Sequence, residues 1–408
     1  MNEKLLTVRE YEKIFAEDCP YFDELVKFAE EFKFPEEFKS DKADDVLKFI
    51  KLGFERRGNY VQMKNYVGVI RLPSGFQIEI LPKLDAPDDD LRGLVVKMLS
   101  TLKDFAGKKF LNAELLTEQM PLYEIFIRAY LEMIAELVKR GLKSSYVVRE
   151  ENLNFFKGKL LVAENLRLNF AHREKFFVAF DEYNLDRPEH RLIKATLFKL
   201  LHSTRDNKNF RLASRLLGDF DSVAQSVNYR KDFAAVSIDR TNREYQAIMN
   251  WTKIFLSGKS FTTAAGKAEA LALLFDMNKL FEAYVAEHVR KFFSDRFTVK
   301  IQAQEKYLFD ASRSFKLKPD IILEQDDKKF ILDTKWKFEI SSGDMYQMFA
   351  YAKKYGAEKI FLLCPPSVAE SFYRAEDFQV QIVGIDLFNM SNLRGLQIDG
   401  RKNFLLAE

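Results

Sequence analysis

The chain has 408 residues, of which 47% are hydrophobic and 31% are charged. This composition is typical of a globular protein and excludes an intrinsically disordered chain, while the length favours two or three domains. The formal net charge of +3 is too small to establish nucleic-acid binding unless lysine and arginine cluster locally.

Cysteine content and hydropathy predict a cytoplasmic protein without a membrane span. Cys19 and Cys364 are the only cysteines, which makes a disulfide framework improbable and fits a reducing compartment. The opening residues, MNEKLLTVREYEKIF, lack the apolar core of a signal peptide. No apolar run reaches the roughly 18 residues of a transmembrane helix, so we expect none.

Residues 1–110 are predicted to form a small α+β domain. A short strand is expected near Leu5–Arg9, and AEDCPYFDELVKFAEEF has apolar residues at helical spacing. Residues 60–85 then alternate between apolar and polar side chains. Within them, LPSGF supplies a Pro-Ser-Gly turn between two strands.

Residues 111–267 are predicted to be mostly helical. The sequence MPLYEIFIRAYLEMIAELVKRGL has apolar residues at helical spacing, with Gly141 as its expected end. Residues 144–188 differ, because the short strand-like runs YVV, KLLV and FFVAF alternate with charged stretches. Since it has few long apolar faces, this segment is expected to project from the helical region or to dock on a partner.

Residues 268–408 are predicted to form an α/β domain with a mixed sheet. One long helix is expected over AEALALLFDMNKLFEAYVAEHVRKFFSD, followed by a strand, a hairpin, a helix at GDMYQMFAYAKKYG and two further strands. The whole chain is therefore predicted to be an α+β multidomain protein.

The hairpin within KPDIILEQDDKKFILDTKWKF carries charged side chains inside strands that are otherwise apolar. If Asp326 and Asp327 form the turn, Asp320 faces Asp333 directly across the ladder. Strand alternation then places Lys335, two residues beyond Asp333, on the same face.

Two carboxylates opposite each other are destabilising unless a cation compensates them. Hard oxygen ligands select Mg²⁺, or Mn²⁺, rather than zinc. Lys335 is then placed to orient a water or to stabilise charge on a phosphate, which favours phosphodiester hydrolysis. Paired carboxylates also occur in glycosidases, but the adjacent lysine and the hairpin favour the metal-dependent reaction. No G-x-S-x-G motif of a serine hydrolase is present.

Three more residues are candidates for the same site. Glu282 lies on the helix before the sheet, from which a carboxylate can join the metal cluster. Gln347 and Tyr351 are one helical turn apart on one face, from which both can hold a phosphate or Lys335. In isolation, polar edges of amphipathic helices explain these three residues as well.

At Glu282, Asp320, Asp333 and Lys335 the sequence resembles the PD-(D/E)xK nuclease superfamily, and YQMFAYA looks like a motif of its RecB-like branch. Four further motifs occur in order: TVREYEKI, NYVGVIRLPSGFQIEILPKLD, FDEYNLDRPEHRLIKATL and LFEAYV. Together they resemble the McrC family, the nuclease subunits of McrBC-type modification-dependent restriction systems. One departure is His190, where members of that family often carry Asn.

The resemblance implies a Mg²⁺-dependent endonuclease that acts on double-stranded, modified DNA. Its implied partner is an McrB-like hexameric AAA+ GTPase, whose GTP hydrolysis it stimulates. This chain has no GxxxxGK[ST] loop, so we expect GTP to bind to the partner. Candidate partner contacts are the charged residues of the 144–188 segment: Arg167, Arg173, Asp181, Glu182, Asp186 and Arg187. Two alternatives stay open, namely a non-catalytic adaptor of the ring GTPase and a stand-alone RecB-like nuclease.

Overall fold

The computed structural model describes residues 5–31, 50–102, 120–240, 242–257, 271–303, 306–309 and 314–398. In these ranges, eleven helices and eighteen strands form a mixed α+β protein with several sheets. The chain divides into two compact units, residues 1–122 with 260–408, and residues 123–259. None of the described helices is long and apolar enough to cross a bilayer.

A four-stranded sheet in the first unit combines strands from distant parts of the sequence. Its order is β1 (Leu5–Arg9), β6 (Gln77–Leu81), β5 (Tyr66–Arg71) and β10 (Leu271–Asp276). β1 runs parallel to β6, and the other two pairings are antiparallel. The predicted strand near Leu5–Arg9 and the predicted turn between β5 and β6 are therefore both confirmed.

The prediction of one long helix from residue 268 is wrong at its N-terminal end. Leu271–Asp276 forms β10, and the helix α9 spans Met277–Phe293. A continuous buried apolar run such as LALLF is compatible with either a strand or a helix, and here pairing with β5 decides for the strand. Residues 1–110 and 268–408, predicted as separate domains, thus share one sheet and lie in one compact unit.

A smaller antiparallel sheet adjoins the first one. Helix α1 (Phe22–Glu31) packs on its strands, and the core between them contains the fully buried Leu25, Val61 and Ile78. Helix α2 (Asp88–Thr101) packs against α9. The sheet has the strand order β2 (Lys13–Phe15), β4 (Gly58–Met63) and β3 (Ile50–Glu55).

A six-stranded mixed sheet carries the candidate site. Its order is β11 (Thr298–Ile301), β14 (Ile321–Gln325), β15 (Lys328–Thr334), β16 (Lys359–Cys364), β18 (Gln379–Gly384) and β17 (Ser371–Arg374). β15, β16 and β18 are parallel to one another, whereas the remaining pairings are antiparallel, so the predicted mixed sheet is confirmed.

Two helices and a small ladder complete this part of the first unit. Helix α10 (Ser342–Tyr355) begins with a capping box at Ser341 and packs on β15 and β16, while α11 (Ser391–Arg394) is a single turn. Two short strands, β12 (Lys306–Tyr307) and β13 (Lys316–Leu317), pair immediately before β14.

The second unit consists of helices and one three-stranded sheet. Its helices are α3 (Leu122–Arg140), α5 (Pro188–Ser203), α6 (Asn207–Asp219), α7 (Tyr229–Ala235) and α8 (Tyr245–Ser257), and α5 packs against α6, α7 and α8. The three predicted runs in residues 144–188 form a sheet with the order β7 (Ser145–Leu153), β9 (Phe176–Asn184) and β8 (Lys159–Leu160). Helix α4 (Val162–Leu168), which has no buried residue, was not predicted from the sequence.

Candidate active site

The hairpin of β14 and β15 has the register that the sequence predicts. Ile321 pairs with Leu332, so the two-residue turn falls at residues 326–327, where Asp326 has a φ of 52°. Asp333 lies within β15. Asp320, predicted inside the strand, instead immediately precedes β14. The hairpin therefore brings the two carboxylates to the same end of its ladder.

Asp333, which is buried, and Lys335, which is partly buried, form an ion pair at this end. Asp333 is 1% exposed, and its Oδ2 lies 2.6 Å from Nζ of Lys335. Burial and the nearby charge of Asp320 raise the pKa of Asp333 to about 7, although Lys335 opposes this shift. Burial lowers the pKa of Lys335, but the charges of Asp333 and Asp320 leave it above its ordinary value.

Asp320 is held by the residue that follows Asp333. Its Oδ2 accepts hydrogen bonds from the backbone N–H of Thr334 at 2.7 Å and from the Thr334 hydroxyl at 2.6 Å. Burial raises the pKa of Asp320, while these two hydrogen bonds and the charge of Lys335 lower it in part. The pKa values of both carboxyl groups are therefore raised, so that a further cation nearby would favour their ionised forms.

Glu282 reaches the same region from α9. Burial and the charge of Asp320 raise its pKa, and its Oε1 accepts a hydrogen bond from Gln302 Nε2 at 2.8 Å. The backbone N–H of Gln302 also donates to the carbonyl of Asp320 at 2.7 Å, and Gln302 has a left-handed φ of 51°. Gln302, which the sequence reading did not single out, thus links Glu282 to the residue that carries the first carboxylate.

Gln347 and Tyr351 contact each other, with Gln347 Nε2 donating to the Tyr351 hydroxyl at 2.8 Å. The buried Tyr351 hydroxyl donates in turn to the carbonyl of Lys318 at 2.9 Å, two residues before Asp320. Burial and the charge of Asp333 raise the pKa of Tyr351. This pair is therefore placed to position the chain that enters β14.

The oxygen atoms at this site suit a hard divalent cation. Although Asp333 Oδ2 is close to Lys335, it accepts no well-directed hydrogen bond from any described residue. Within the described ranges, no three His, Cys, Asp or Glu side chains converge into a ready metal cage. Mg²⁺ needs only one or two carboxylates because it keeps several waters. The carboxylates of Asp320 and Asp333 are therefore compatible in their chemistry with such a hydrated ion.

A buried carboxyl group, that of Glu10, contacts the residue that follows Lys335. Trp336, which follows Lys335, is 1% exposed and donates from Nε1 to Glu10 Oε2 at 3.0 Å. The backbone N–H of Lys83 donates to the same oxygen at 3.3 Å. Burial raises the pKa of Glu10 to about 8. Glu10 belongs to the motif TVREYEKI, but the sequence contains no signal of its contact with Trp336.

The six charged partner candidates divide into two groups. Arg167, Arg173 and Asp181 are exposed on the sheet segment of the second unit. The other three have contacts within the chain: Glu182 with Arg149, Asp186 with Ala224 N and Arg191, and Arg187 with Glu189.

Exposed apolar side chains are concentrated on the same segment. Phe170 is 80% exposed, Tyr146 is 74% exposed and Leu166 is 64% exposed. The others that are largely exposed there are Val148, Phe155, Phe156, Val162, Leu168 and Tyr183. Such a concentration is typical of a protein interaction surface. The sequence predicted charged contacts here and not this apolar surface, although the segment's lack of helical apolar faces was a signal of it.

His190, the departure from the family pattern, is fully buried. Its Nδ1 lies 2.7 Å from the carbonyl of Leu185, and its Nε2 lies 2.7 Å from the Tyr245 hydroxyl. Burial lowers the pKa of His190. A neutral ring that donates from Nδ1 and accepts at Nε2 satisfies both contacts, which indicates a structural role.

Comparison with known proteins points to one family. The profile described as "McrBC 5-methylcytosine restriction system component" matches residues 61–365. The chain resembles one from a refined half-complex of a tetradecameric assembly of Thermococcus gammatolerans McrB AAA+ hexamers with bound McrC. Its TM-score is 0.68, with 19% identity, over 94% of this chain and 96% of that chain.

A second structural match is to the cryo-EM structure of the Thermococcus gammatolerans McrBC complex. Here the TM-score is 0.51 and the identity is 20%, over 74% of this chain and 90% of that chain. No curated protein matches the chain. At these identities, the structural matches establish a shared fold.

Proposed function

This chain belongs to the family of McrBC 5-methylcytosine restriction system components, and from that premise we propose that it is the McrC-type nuclease subunit. In this proposal it is a metal-dependent endonuclease that cuts double-stranded, modified DNA. It works in a complex with an McrB-like hexameric AAA+ GTPase and stimulates that partner's GTP hydrolysis.

The cluster of the buried Asp333 with the partly buried Asp320 and Lys335 is the observation that carries this proposal. Burying an ion pair next to a second carboxylate costs free energy that well-packed apolar residues would not. Clusters with such perturbed pKa values occur mainly at functional sites. An adaptor that only bound the ring GTPase would gain nothing from this cost.

The order of the surrounding elements supports a PD-(D/E)xK nuclease domain. Helix α9 with Glu282 precedes β11, the hairpin of β14 and β15 carries Asp320, Asp333 and Lys335, and α10 and β16 follow. These elements belong to one mixed sheet and the helices packed on it. This arrangement agrees with the motif order that suggested the superfamily.

In the proposed reaction, Asp320 and Asp333 would hold Mg²⁺ or Mn²⁺, and Glu282 would assist through water. A bound divalent cation supplies Lewis acidity toward a phosphoryl oxygen and lowers the pKa of a bound water. The ammonium of Lys335, oriented by Asp333, stabilises negative charge that develops on the phosphate. Tyr351 and Gln347 position the chain before Asp320 through the carbonyl of Lys318.

Residues 144–188 are the proposed surface for the ring partner. Its exposed apolar side chains provide contact area, and the exposed Arg167, Arg173 and Asp181 provide charged contacts around it. The resembled chains come from assemblies of McrB with McrC. Since this chain lacks a P-loop, GTP hydrolysis in the complex belongs to the partner.

The double substitution Leu166→Ser and Phe170→Ser tests the partner surface. We expect it to weaken binding to the cognate ring GTPase by about tenfold or more, because truncating anchor residues typically costs over 1 kcal/mol each. Val227→Ser is the matched control, since Val227 is 98% exposed elsewhere in the same unit. Unchanged affinity of the double variant, measured by surface plasmon resonance, would remove this segment from the interface.

A DNA cleavage assay tests the nuclease function. Wild type and Asp333→Asn are incubated with methylated duplex and Mg²⁺, each with and without the ring GTPase and GTP. We expect cleavage only by wild type with its partner. Cleavage by wild type alone would favour a stand-alone nuclease. Stimulation of GTP hydrolysis without any cleavage would favour the adaptor.

A further inference from the structure

An exposed aromatic pair lies shortly before the candidate active site in the first unit. Phe309 and Phe315 are 55% and 68% exposed, and their rings pack edge to face with centroids 5.9 Å apart. Single exposed hydrophobic residues are ordinary in proteins, whereas adjoining large rings in water more often mark a binding surface.

The short hairpin of β12 and β13 that carries this pair is fixed by its neighbours. At its base, Nζ of Lys306 donates to the carbonyl of Lys354 in α10 at 2.6 Å. Next to the two-residue ladder, the N–H of Leu308 donates to the carbonyl of Phe315 at 3.0 Å, and Phe315 has a φ of 56°. A bulky residue in this left-handed region is an outlier, and such strain concentrates at functional sites, including ligand clamps.

The charge and position of the hairpin suit DNA as its ligand. Among the described residues of this stretch, 306–309 and 314–318, three are basic (Lys306, Lys316 and Lys318) and none is acidic. Phe315 precedes Asp320 by five residues, which limits their Cα separation to about 17 Å. Since successive nucleotides of a DNA strand rise by about 3.4 Å, this limit corresponds to roughly five nucleotides between the Cα of Phe315 and a phosphate at Asp320.

We propose that Phe309 and Phe315 form a wedge that stacks on nucleobases beside the phosphate to be cleaved. The inference rests on the proposed function, because it takes DNA as the ligand of the adjacent site. Every base offers a π face, so stacking of this kind tolerates any sequence. Inserted apolar side chains also kink a duplex at the step they enter. The wedge therefore positions or opens the duplex and does not select a base.

The variant Phe315→Gly distinguishes the effect of the aromatic ring from the effect of the strained backbone at this position. Glycine adopts a positive φ at no cost, so this variant loses the ring while its hairpin is relaxed. Phe372→Ala, which removes a 55% exposed ring from β17, is the matched control. Phe315→Trp retains a stacking face and should retain function.

The test measures binding of the full-length chain to a short duplex containing 2-aminopurine, in EDTA so that no cleavage occurs. We expect Phe315→Gly to weaken binding about five-fold or more and to abolish the 2-aminopurine fluorescence change. The salt dependence should be unchanged, because no phosphate contact is removed. Phe315→Trp and Phe372→Ala should bind like wild type, and the melting temperature of Phe315→Gly should not fall.

Three results would overturn the wedge. The first is that Phe315→Gly binds DNA as tightly as wild type does. The second is that its melting temperature is lower. The third is that it loses binding to the ring GTPase but keeps its DNA affinity. The parallel cleavage assay distinguishes this failure from failure of the proposed function. If the protein cleaves DNA but its DNA binding does not depend on Phe315, the wedge is wrong and the proposed nuclease function still stands. DNA binding that depends on the aromatic side chain of Phe315, without any DNA cleavage, would support the wedge and contradict the nuclease function.

Discussion

At the scale of single residues, Asp333 lies between opposing electrostatic influences. Burial and the second carboxylate favour its protonated form, whereas Lys335 favours its ionised form. The resulting pKa of about 7 leaves both forms populated at neutral pH. Only the ionised carboxylate is a strong metal ligand, so in the proposed reaction a proton would compete with the divalent cation at this position.

The rate of DNA cleavage should therefore depend on pH. As the pH falls below about 7, protonation of Asp333 should lower the rate by up to about tenfold per unit at subsaturating Mg²⁺. A pH–rate profile at fixed GTPase concentration measures this, with the partner's GTP hydrolysis followed separately as a control. A flat profile from about pH 6 to 8 would mean that Asp333 does not titrate in the reacting complex.

The three residues of the cluster were predictable because strand pairing obeys simple arithmetic. A two-residue turn and a side-chain period of two bring Asp320, Asp333 and Lys335 together without any further information. Gln302 and Glu10 could not be predicted in this way. They meet their partners across 20 and 326 residues, and such contacts depend on how whole elements pack.

At the scale of secondary-structure elements, the β5–β10 pairing requires an unusually close approach. Gly68 in β5 has a φ of 135°, and a Cβ there would lie 1.8 Å from the carbonyl oxygen of Leu273 in β10. This pairing converts the run LALLF into a strand, which its apolar sequence alone does not determine. Helix α4 could not be predicted because it is short and has no buried residues, so its sequence lacks the apolar periodicity that indicates a helix.

Gly68→Ala should consequently destabilise the first unit by at least about 2 kcal/mol, since the methyl group clashes with backbone and the φ is strained. Gly218→Ala is a suitable control, because a Cβ at Gly218 near the end of α6 would meet nothing within 4 Å. We expect that control to be neutral or slightly stabilising. Urea denaturation followed by circular dichroism compares the two variants, and equal midpoints would contradict the close approach.

At the scale of the whole molecule, the Glu10–Trp336 hydrogen bond joins the residue that follows β1 to the segment that follows β15. The carboxyl group is buried, and its pKa is raised from 4.5 to about 8. Its contribution to folding is fully present below about pH 4.5 and is lost as the pH rises through about 8. The link between these distant segments therefore weakens in alkaline solution.

Glu10→Gln cannot ionise, so its stability relative to wild type should increase as the pH rises from about 4.5 to 8. The pKa shift sets an upper limit of about 5 kcal/mol on this relative gain. Thermal unfolding of both proteins across this pH range measures the difference. Parallel stability profiles for the variant and wild type would show that Glu10 does not ionise with a raised pKa in the folded protein.

Binding of Mn²⁺, followed by electron paramagnetic resonance, tests most directly whether Asp320 and Asp333 hold a metal ion. The comparison uses wild type, Asp320→Asn, Asp333→Asn and the control Glu324→Gln, which changes a carboxylate on the same hairpin that pairs with Lys300. We expect wild type and the control to bind Mn²⁺ alike and each Asn variant to bind it at least about tenfold more weakly. Equal Mn²⁺ affinity in all four proteins would contradict the metal site at this hairpin.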